Sequence, residues 1–295
     1  MPGIEVAAPA KVNLTLHVIG QRADGYHLLD SLVAFAPVAD LLHLAPAPEM
    51  GLRVTGPEAA GVPEDGRNLV MKAASLLIER LGPVPGAALW LDKHLPAASG
   101  IGGGSADAAA AVRGLLRLWR VDRPEWLEGA MLSLGADVPM CLECRPARVR
   151  GIGERIAPVA LPALPAVLVN PRAEVSTPAV FRALARRDNP PMPADLPQFG
   201  AAGALIDWLA TQRNDLEAPA LSVAPVIGAV LGALRGEAAC RLARMSGSGA
   251  TCFGLFATRA EAEAAARRLR AAHGDWWVAA GDLGDQGALA RPRAV

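Results

Sequence analysis

Apolar and polar residues alternate near the start of the chain and predict a half-buried strand over residues 10–18. The apolar positions are Val12, Leu14, Leu16 and Val18. The polar positions between them are Lys11, Asn13, Thr15 and His17. Because successive side chains of a strand point to opposite faces, Lys11 and Asn13 are expected to lie side by side on the polar face. The strand should end at Gly20, before a tight turn at Asp24-Gly25.

Further along, helical and extended patterns alternate without the regular strand–helix–strand rhythm of a doubly wound sheet. Helices are predicted at 68–81, from the glycine-rich segment 100–104 to about 119, at 124–134, after Ser176-Thr177-Pro178, and at 201–212, 219–235 and 259–272. Further strands are predicted at 88–93, 166–170, 241–245, 251–256 and 276–280. This mixture predicts the α+β fold class.

Prolines at positions 158, 162 and 165 indicate a domain boundary near residue 160. We therefore predict an N-terminal domain over 1–160, a C-terminal domain over 161–285 and a tail over 286–295. Segment 188–200 contains four prolines and is predicted to be an extended loop.

Composition and charge argue against several classes of protein. The chain has 295 residues, with 29 basic and 29 acidic side chains and no basic cluster, which disfavours a nucleic-acid partner. The longest apolar run, 223–234, is much shorter than the ~20 residues of a bilayer-spanning helix. The first residues lack a basic region and an apolar segment, so we expect no secretory signal and a cytoplasmic protein. The four cysteines, including the Cys141-x-x-Cys144 pair, are expected to be structural.

Residues 100–104 contain four glycines and precede an alanine- and leucine-rich helix. Glycines let the backbone approach a ligand closely, and the start of a helix offers unpaired N–H groups and a positive dipole end. The segment therefore predicts a phosphate site, although a flexible turn could have the same composition. A Walker A loop is excluded because Ala10, Met71 and Asp92 precede the three lysines. The dinucleotide fingerprint fails because Ser105 stands where its third glycine is required.

Three segments resemble the motifs of the GHMP kinases, a superfamily of small-molecule kinases. The first is Pro9-Ala10-Lys11-Val12-Asn13-Leu14, and the third is Met245-Ser246-Gly247-Ser248-Gly249. The second, the phosphate-binding motif of that family, corresponds to Pro96-Ala97-Ala98-Ser99-Gly100-Ile101-Gly102-Gly103-Gly104-Ser105-Ala106. Within the superfamily, Asp24-Gly25-Tyr26-His27 and Gly135-Ala136-Asp137-Val138-Pro139 resemble the diphosphocytidyl-methylerythritol kinases. The similarity extends over residues 7–282 and so covers nearly the whole chain.

The resemblance implies a two-domain fold, with a left-handed βαβ unit in the N-terminal domain and a ferredoxin-like C-terminal domain. It implies that residues 96–106 bind ATP, and that Ser105 could help to hold Mg²⁺ or the β-phosphate. It also implies that Asp137 is a general base and that Lys11 contacts both the reacting oxygen and Asp137. Independently, Lys11, Lys72 and Lys93 are the only lysines in a chain that otherwise uses arginine, and a compact ammonium suits a tight site.

The same resemblance implies a binding site for a cytosine ring. Tyr26 and Phe181, which lies four residues after Thr177, would stack on the base. The His27 backbone and Asn13 are implied in hydrogen bonds to the substrate. Thr177 and the loop of Ser246, Gly247, Ser248 and Gly249 are implied to line the substrate site, with the loop amides facing its phosphates.

The implied reaction transfers the γ-phosphoryl group of MgATP to the 2-hydroxyl of 4-diphosphocytidyl-2-C-methyl-D-erythritol, a precursor of isoprenoids. One alternative is a sister GHMP kinase for homoserine or a mevalonate derivative, which needs no aromatic clamp for a base. Another is a non-catalytic nucleotide sensor, whose hallmark would be loss of the Asp137 carboxylate. The expected partners are ATP, Mg²⁺ and the cytidyl substrate, without nucleic acid or membrane, in a monomer or weak homodimer.

Overall fold

The computed structural model describes residues 3–295 and arranges their strands in two β-sheets, one of eight strands and one of four. In chain order the strands are β1 (Ile4–Asn13), β2 (His17–Gln21), β3 (His27–Pro46), β4 (Gly51–Thr55), β5 (Ala87–Asp92), β6 (Ala147–Gly151), β7 (Arg155–Pro158), β8 (Leu164–Asn170), β9 (Leu242–Met245), β10 (Cys252–Leu255), β11 (Trp277–Leu283) and β12 (Arg293–Ala294). The helices are α1 (Leu69–Leu81), α2 (Gly103–Trp119), α3 (Leu127–Met131), α4 (Val138–Glu143), α5 (Thr177–Arg182), α6 (Ala202–Ala210), α7 (Glu217–Val223), α8 (Val226–Gly236) and α9 (Arg259–Ala272). The predicted α+β class is confirmed.

The eight-stranded sheet is organised around β3, a strand of 20 residues that pairs with β1, β2, β5 and β6. The sequence pattern did not predict β3, because residues 30–36 are buried on both faces and therefore show no alternation. Helices α1 and α2 pack with this sheet around a core rich in alanine, valine and leucine. Strands β4 and β5 are parallel and joined through α1, which makes a βαβ unit whose left-handed crossover stays a prediction.

The prediction of a half-buried strand over residues 10–18 is wrong in two respects. Strand β1 begins earlier and ends at Asn13, and β2 starts only at His17. Both faces are buried: Lys11 and Asn13 are 4% and 6% exposed. The apolar face packs against the second sheet, while the Ser246–Gly249 loop and residues 190–192 cover the polar side chains. These covering residues come from distant parts of the chain, so the local pattern could not reveal them.

The helices with clear local signals lie where the sequence predicts them. Asn68 accepts a hydrogen bond from the Val70 N–H at 2.9 Å and so caps α1, which ends at Leu81. Helix α2 follows the glycine-rich segment and ends at Trp119. Two predictions need correction. Helix α3 is shorter than the predicted 124–134, and the predicted helix 219–235 is two helices, interrupted at Pro225.

The four-stranded sheet is antiparallel, with the strand order β11-β8-β10-β9. Helices α5 to α8 connect β8 to β9, and α9 connects β10 to β11. The elements thus follow the β-α-β-β-α-β order typical of ferredoxin-like units. An apolar cluster that includes Val12 of β1 and Leu168 of β8 joins the two sheets.

Two segments without clear local patterns are held by specific hydrogen bonds. Segment 188–200 is irregular, as predicted, but Arg148 donates to the carbonyls of Pro193 and Ala194 at 2.8 and 2.7 Å. Residues 286–295, predicted as a tail, return to the first sheet, where β12 pairs with β1. Within residues 3–295, none of the helices combines the length and apolar character needed to cross a bilayer.

Candidate active site

A cleft of about 440 Å³ lies where the two sheets meet. Its walls come from the end of β1, the glycine-rich segment, the turn before α4, the loop before α5 and the Ser246–Gly249 loop. Of the residues predicted for the site, those that line this cleft are Lys11, Asn13, Ala98, Ser99, Gly100, Gly102, Gly103, Gly104, Ser105, Asp137, Thr177, Phe181, Gly247 and Ser248. Ile101 and Ala106 instead pack into the apolar core.

The glycine-rich segment forms a narrow mouth at the start of α2. Gly102 has a left-handed backbone (φ 66°), and a Cβ there would lie 3.3 Å from Lys11 Cε. At Gly100, a Cβ would come within 2.6 Å of the Ser246 carbonyl oxygen. Because Gly102 has no side chain to cap the helix, the first N–H groups of α2 remain available to an anion in the cleft.

Lys11 and Asp137 form an ion pair in this mouth, with 2.8 Å between Nζ and Oδ2. The Lys11 side chain is 5% exposed, whereas that of Asp137 is 34% exposed and accessible from the cleft. Asp137 occupies the N-cap position of α4, but its carboxylate is directed at Lys11 and not at the N–H groups of its own helix. The pair thus places an oriented carboxylate beside the start of α2.

Ser246 ties the three motif segments together. Its Oγ accepts from the Asn13 N–H and donates to the Gly100 carbonyl, both at 3.0 Å. Asn214, outside the predicted site residues, holds the same loop by donating to the carbonyls of Met245 and Gly247 at 2.8 and 2.9 Å. The loop is therefore fixed from both sides before any ligand binds.

A second cavity of about 640 Å³ continues from the cleft and shares Leu29, Ala136, Thr177 and Phe181 with it. The His27 and Phe181 rings stack there with centroids 4.6 Å apart. Tyr26 lines the same cavity and is 62% exposed, so its ring is available to a ligand. Burial, together with the positive charge of Arg187, lowers the pKa of His27 and favours a neutral imidazole.

Comparison with known proteins identifies the family. Models of the GHMP kinase N-terminal and C-terminal domains match residues 68–144 and 194–275. A 4-diphosphocytidyl-2-C-methyl-D-erythritol kinase of Dinoroseobacter shibae is 60% identical over 273 residues, which are 92% of each chain. The chain belongs to the GHMP kinases, in the family of these 4-diphosphocytidyl-2-C-methyl-D-erythritol kinases. This makes it a small-molecule kinase that uses ATP.

Other relatives agree with this assignment. A 4-diphosphocytidyl-2-C-methyl-D-erythritol kinase of Roseobacter denitrificans is 56% identical over 293 residues, 98% of this chain and 97% of that one. A crystal structure of 4-(cytidine 5'-diphospho)-2C-methyl-D-erythritol kinase superposes with a TM-score of 0.78 at 40% identity, covering 95% of this chain and 99% of that one. A homoserine kinase from Cytophaga hutchinsonii has a TM-score of 0.70 at 20% identity, covering 100% and 98%, and shares the fold.

Behind the glycine mouth of this GHMP kinase lies a buried cluster that the sequence analysis did not predict. The Lys93 ammonium contacts Asp40 Oδ2 and lies 2.7 Å from Asp107 Oδ2. A Cβ on Gly103 would lie 3.7 Å from Lys93 Nζ, so the cluster supports the first turn of α2 from the core side. The scarcity of lysine in the sequence could have pointed to this cluster, because Lys93, like Lys11, is one of only three lysines.

Burial raises the pKa of Asp107, and the nearby Asp40 carboxylate adds to the effect although Lys93 opposes it. Burial alone would lower the pKa of Lys93, but the carboxylates of Asp107 and Asp40 outweigh it and the pKa is raised. The ammonium therefore stays charged while it is shared between two acids.

At the C-terminal end of α4, burial raises the pKa of the Cys144 thiol to about 11, so this thiol is protonated at neutral pH.

Proposed function

We propose that this GHMP kinase transfers the γ-phosphoryl group of ATP to the 2-hydroxyl of 4-diphosphocytidyl-2-C-methyl-D-erythritol. The observation that carries the proposal is the Lys11–Asp137 ion pair under Gly102, at the start of α2 and beside an aromatic-lined cavity. The names of the relatives support the choice of acceptor.

Asp137 accepts the proton of the attacking hydroxyl in this proposal. A positioned general base typically contributes ~10²- to 10⁴-fold in rate. The Lys11 ammonium has three N–H bonds, of which one is directed at Asp137 and one at Asn13 Oδ1, both at 2.8 Å. The third is left for the reacting oxygen. Lys11 thus holds the nucleophile and the base at one point.

The phosphates of ATP bind at the start of α2, where the N–H groups of residues 103–105 and the helix dipole favour an anion. The residues present also fit Mg²⁺. The Ser105 Oγ lies 3.8 Å from the Cβ position of Gly135, beside the turn that carries Asp137. Mg²⁺ usually takes few protein oxygens together with waters and substrate phosphates, and the Ser105 hydroxyl, which lines the cleft at the start of α2, could supply one of them. When bound, Mg²⁺ neutralises phosphate charge during transfer.

The cytidyl group occupies the second cavity, where the exposed Tyr26 ring and Phe181 would stack on the base. The His27 ring stacks on Phe181 and lines the same cavity. Base–aromatic stacking contributes ~1–3 kcal/mol per base. Thr177 lines both cavities, and its hydroxyl lies 2.7 Å from that of Ser248 in the first. In this proposal the two hydroxyls face the diphosphate that links the base to the acceptor alcohol. This arrangement has no use in a kinase for homoserine or mevalonate.

We also propose a cytoplasmic protein, monomeric or weakly dimeric, without a nucleic-acid partner. The net charge of zero and the small-molecule substrates support this.

The proposal is tested by ADP release with ATP alone, and with ATP plus the cytidyl alcohol, homoserine or mevalonate. We expect turnover only with the cytidyl alcohol, and a new phosphomonoester at its 2-oxygen by phosphorus NMR. Turnover of homoserine or mevalonate, but not of the cytidyl alcohol, would identify the protein as a sister kinase. ATP binding without turnover of any acceptor would select the nucleotide sensor.

A further inference from the structure

Asn13 lines the cleft, and both ends of its side-chain amide are hydrogen-bonded to other side chains. Oδ1 accepts from Lys11 Nζ, and Nδ2 donates to Ser31 Oγ, both at 2.8 Å. Ser31 lies on β3, is 2% exposed and donates its own hydroxyl proton to the Thr15 carbonyl at 2.5 Å. A continuous chain of hydrogen bonds thus runs from β3 through Asn13 to the ammonium that contacts Asp137.

The single proton of the Ser31 hydroxyl decides the orientation of the Asn13 amide. Since that proton is given to Thr15, the oxygen can only accept on the side that faces Asn13. Only the NH₂ end of the amide can satisfy it, which turns Asn13 Oδ1 towards Lys11. With the amide reversed, the NH₂ group would face the Lys11 ammonium, two donors with no acceptor between them.

We infer that Ser31 is a positioning residue that acts through Asn13 to hold the Lys11 ammonium against Asp137. Its catalytic consequence rests on the roles given to Lys11 and Asp137 in the proposed function. Ser31 itself lines neither the cleft nor the second cavity. Without the Ser31 hydroxyl the Asn13 NH₂ group loses its partner, so the side chain is held only through Lys11 and the acceptor that positions the ammonium is less firmly fixed.

The kinetic test compares Ser31→Thr with Ser31→Val, which have the same shape and differ only in the hydroxyl. Leaving a buried polar partner unpaired costs enough to lower kcat about tenfold in the valine variant, with KM for both substrates within about twofold. The threonine variant should keep kcat within about threefold of wild type. Ser222→Ala, which removes a hydroxyl that donates to the Pro219 carbonyl and lines neither cavity, is the control. Equal kcat for the threonine and valine variants overturns the catalytic part of the inference.

The route through Asn13 is tested in the Asn13→Ala background. There, Ser31→Val should lower kcat no further than Asn13→Ala alone, because the group on which Ser31 acts is already gone. A second tenfold loss in the double variant would mean that Ser31 acts by another route.

A readout without turnover separates this inference from the proposed function. The chain has only three lysines, so ¹⁵N-labelled lysine gives few side-chain signals, and Lys11→Arg assigns that of Lys11. We expect a slowly exchanging Lys11 ammonium signal in wild type and Ser31→Thr, and its loss in Ser31→Val. The buried Lys93 signal should persist in all three proteins as an internal control. An unchanged Lys11 signal in Ser31→Val overturns the positioning role, whichever acceptor alcohol the kinase uses.

Discussion

The Lys11 ammonium and the Asp137 carboxylate lie 2.8 Å apart, and Gly102 passes directly over both. A Cβ at Gly102 would lie 3.3 Å from Lys11 Cε and 3.5 Å from Asp137 Oδ2. A glycine is therefore required here twice, for its left-handed backbone and for the space above the ion pair. In the proposed function, this relationship links the start of α2, where the ATP phosphates would bind, to the two residues assigned to the acceptor hydroxyl.

Asp137→Asn should abolish turnover while ATP affinity stays within about twofold. The amide keeps the shape of the carboxylate but cannot accept the proton, so kcat should fall by at least ~10². Steady-state kinetics and ATP binding by calorimetry measure the two effects. Asp188→Asn is the control, because that side chain is 81% exposed and outside the cleft. Wild-type rates in the Asp137 variant would refute its role as a base.

Gly102→Ala should lower both kcat and stability. Alanine in the left-handed conformation costs ~1–2 kcal/mol, and its methyl group would press on the Lys11 side chain. Urea unfolding gives the stability change, and steady-state kinetics gives kcat. The control is Gly129→Ala, at a residue of α3 where the new methyl group would have no neighbour within 4 Å. Because alanine favours a helix more than glycine does, this variant should be at least as stable as wild type. Equal kcat and equal unfolding free energy for Gly102→Ala and Gly129→Ala would contradict the close packing of Gly102 over the Lys11–Asp137 pair.

Phe181→Ala should weaken binding of the cytidyl substrate without affecting ATP. Loss of ~1–3 kcal/mol of stacking corresponds to a rise in KM for the cytidyl alcohol of roughly 5- to 150-fold. Phe181→Tyr keeps the ring and should stay near the wild-type value. The two Michaelis constants are measured separately at saturating co-substrate. An equal rise in KM for ATP would place Phe181 outside the base site.

The stability of Asp107→Asn relative to wild type should increase as the pH rises. The pKa of Asp107 is raised in the folded state, so above ~4 the folded chain retains a proton that the unfolded chain releases. Wild-type stability therefore falls as pH rises from ~4 towards the folded pKa, by up to ~1.4 kcal/mol per pH unit. Asparagine has no proton to lose. The unfolding free energy of Asp107→Asn minus that of wild type should increase between pH 5 and pH 8.

Asp195→Asn, the same substitution at an exposed position, is the control against which the pH dependence of the Asp107→Asn difference is compared. A constant difference for Asp107→Asn would mean that Asp107 titrates like a carboxyl group in water.

Removal of residues 286–295 should destabilise the N-terminal domain. Arg113 is half-buried in α2, and its guanidinium donates to the backbone carbonyls of Ala290, Cys141 and Ala7. Truncation removes the carbonyl that Arg113 Nε binds, the buried Ala290 side chain and the pairing of β12 with β1. Urea unfolding should show a loss of at least ~2 kcal/mol. Removing only 293–295 should cost much less, and equal stabilities for the two truncations and wild type would contradict this account.

The parts of the site that depend on local signals were predictable. The Asn68 cap, the glycine mouth and helix α2 follow from residues that are adjacent in the chain. The turn at Asp137 was recognised from its glycine and proline neighbours, but the helix α4 that begins immediately after it was not predicted, since six residues are too short for a clear period.

The sequence by itself indicated the glycine-rich segment and the helix that follows it, because propensity, caps and turn residues act over a few positions. The choice of Lys11 and Asp137 rests on motifs in the sequence that resemble those of the GHMP kinases. Only the tertiary structure decided which of these groups meet. The burial of Lys11, the Ser31–Asn13 hydrogen bonds, the Lys93 cluster and the return of the C-terminus to β1 all join segments far apart in the chain. Such contacts depend on the packing of whole sheets, which no local pattern of residues records.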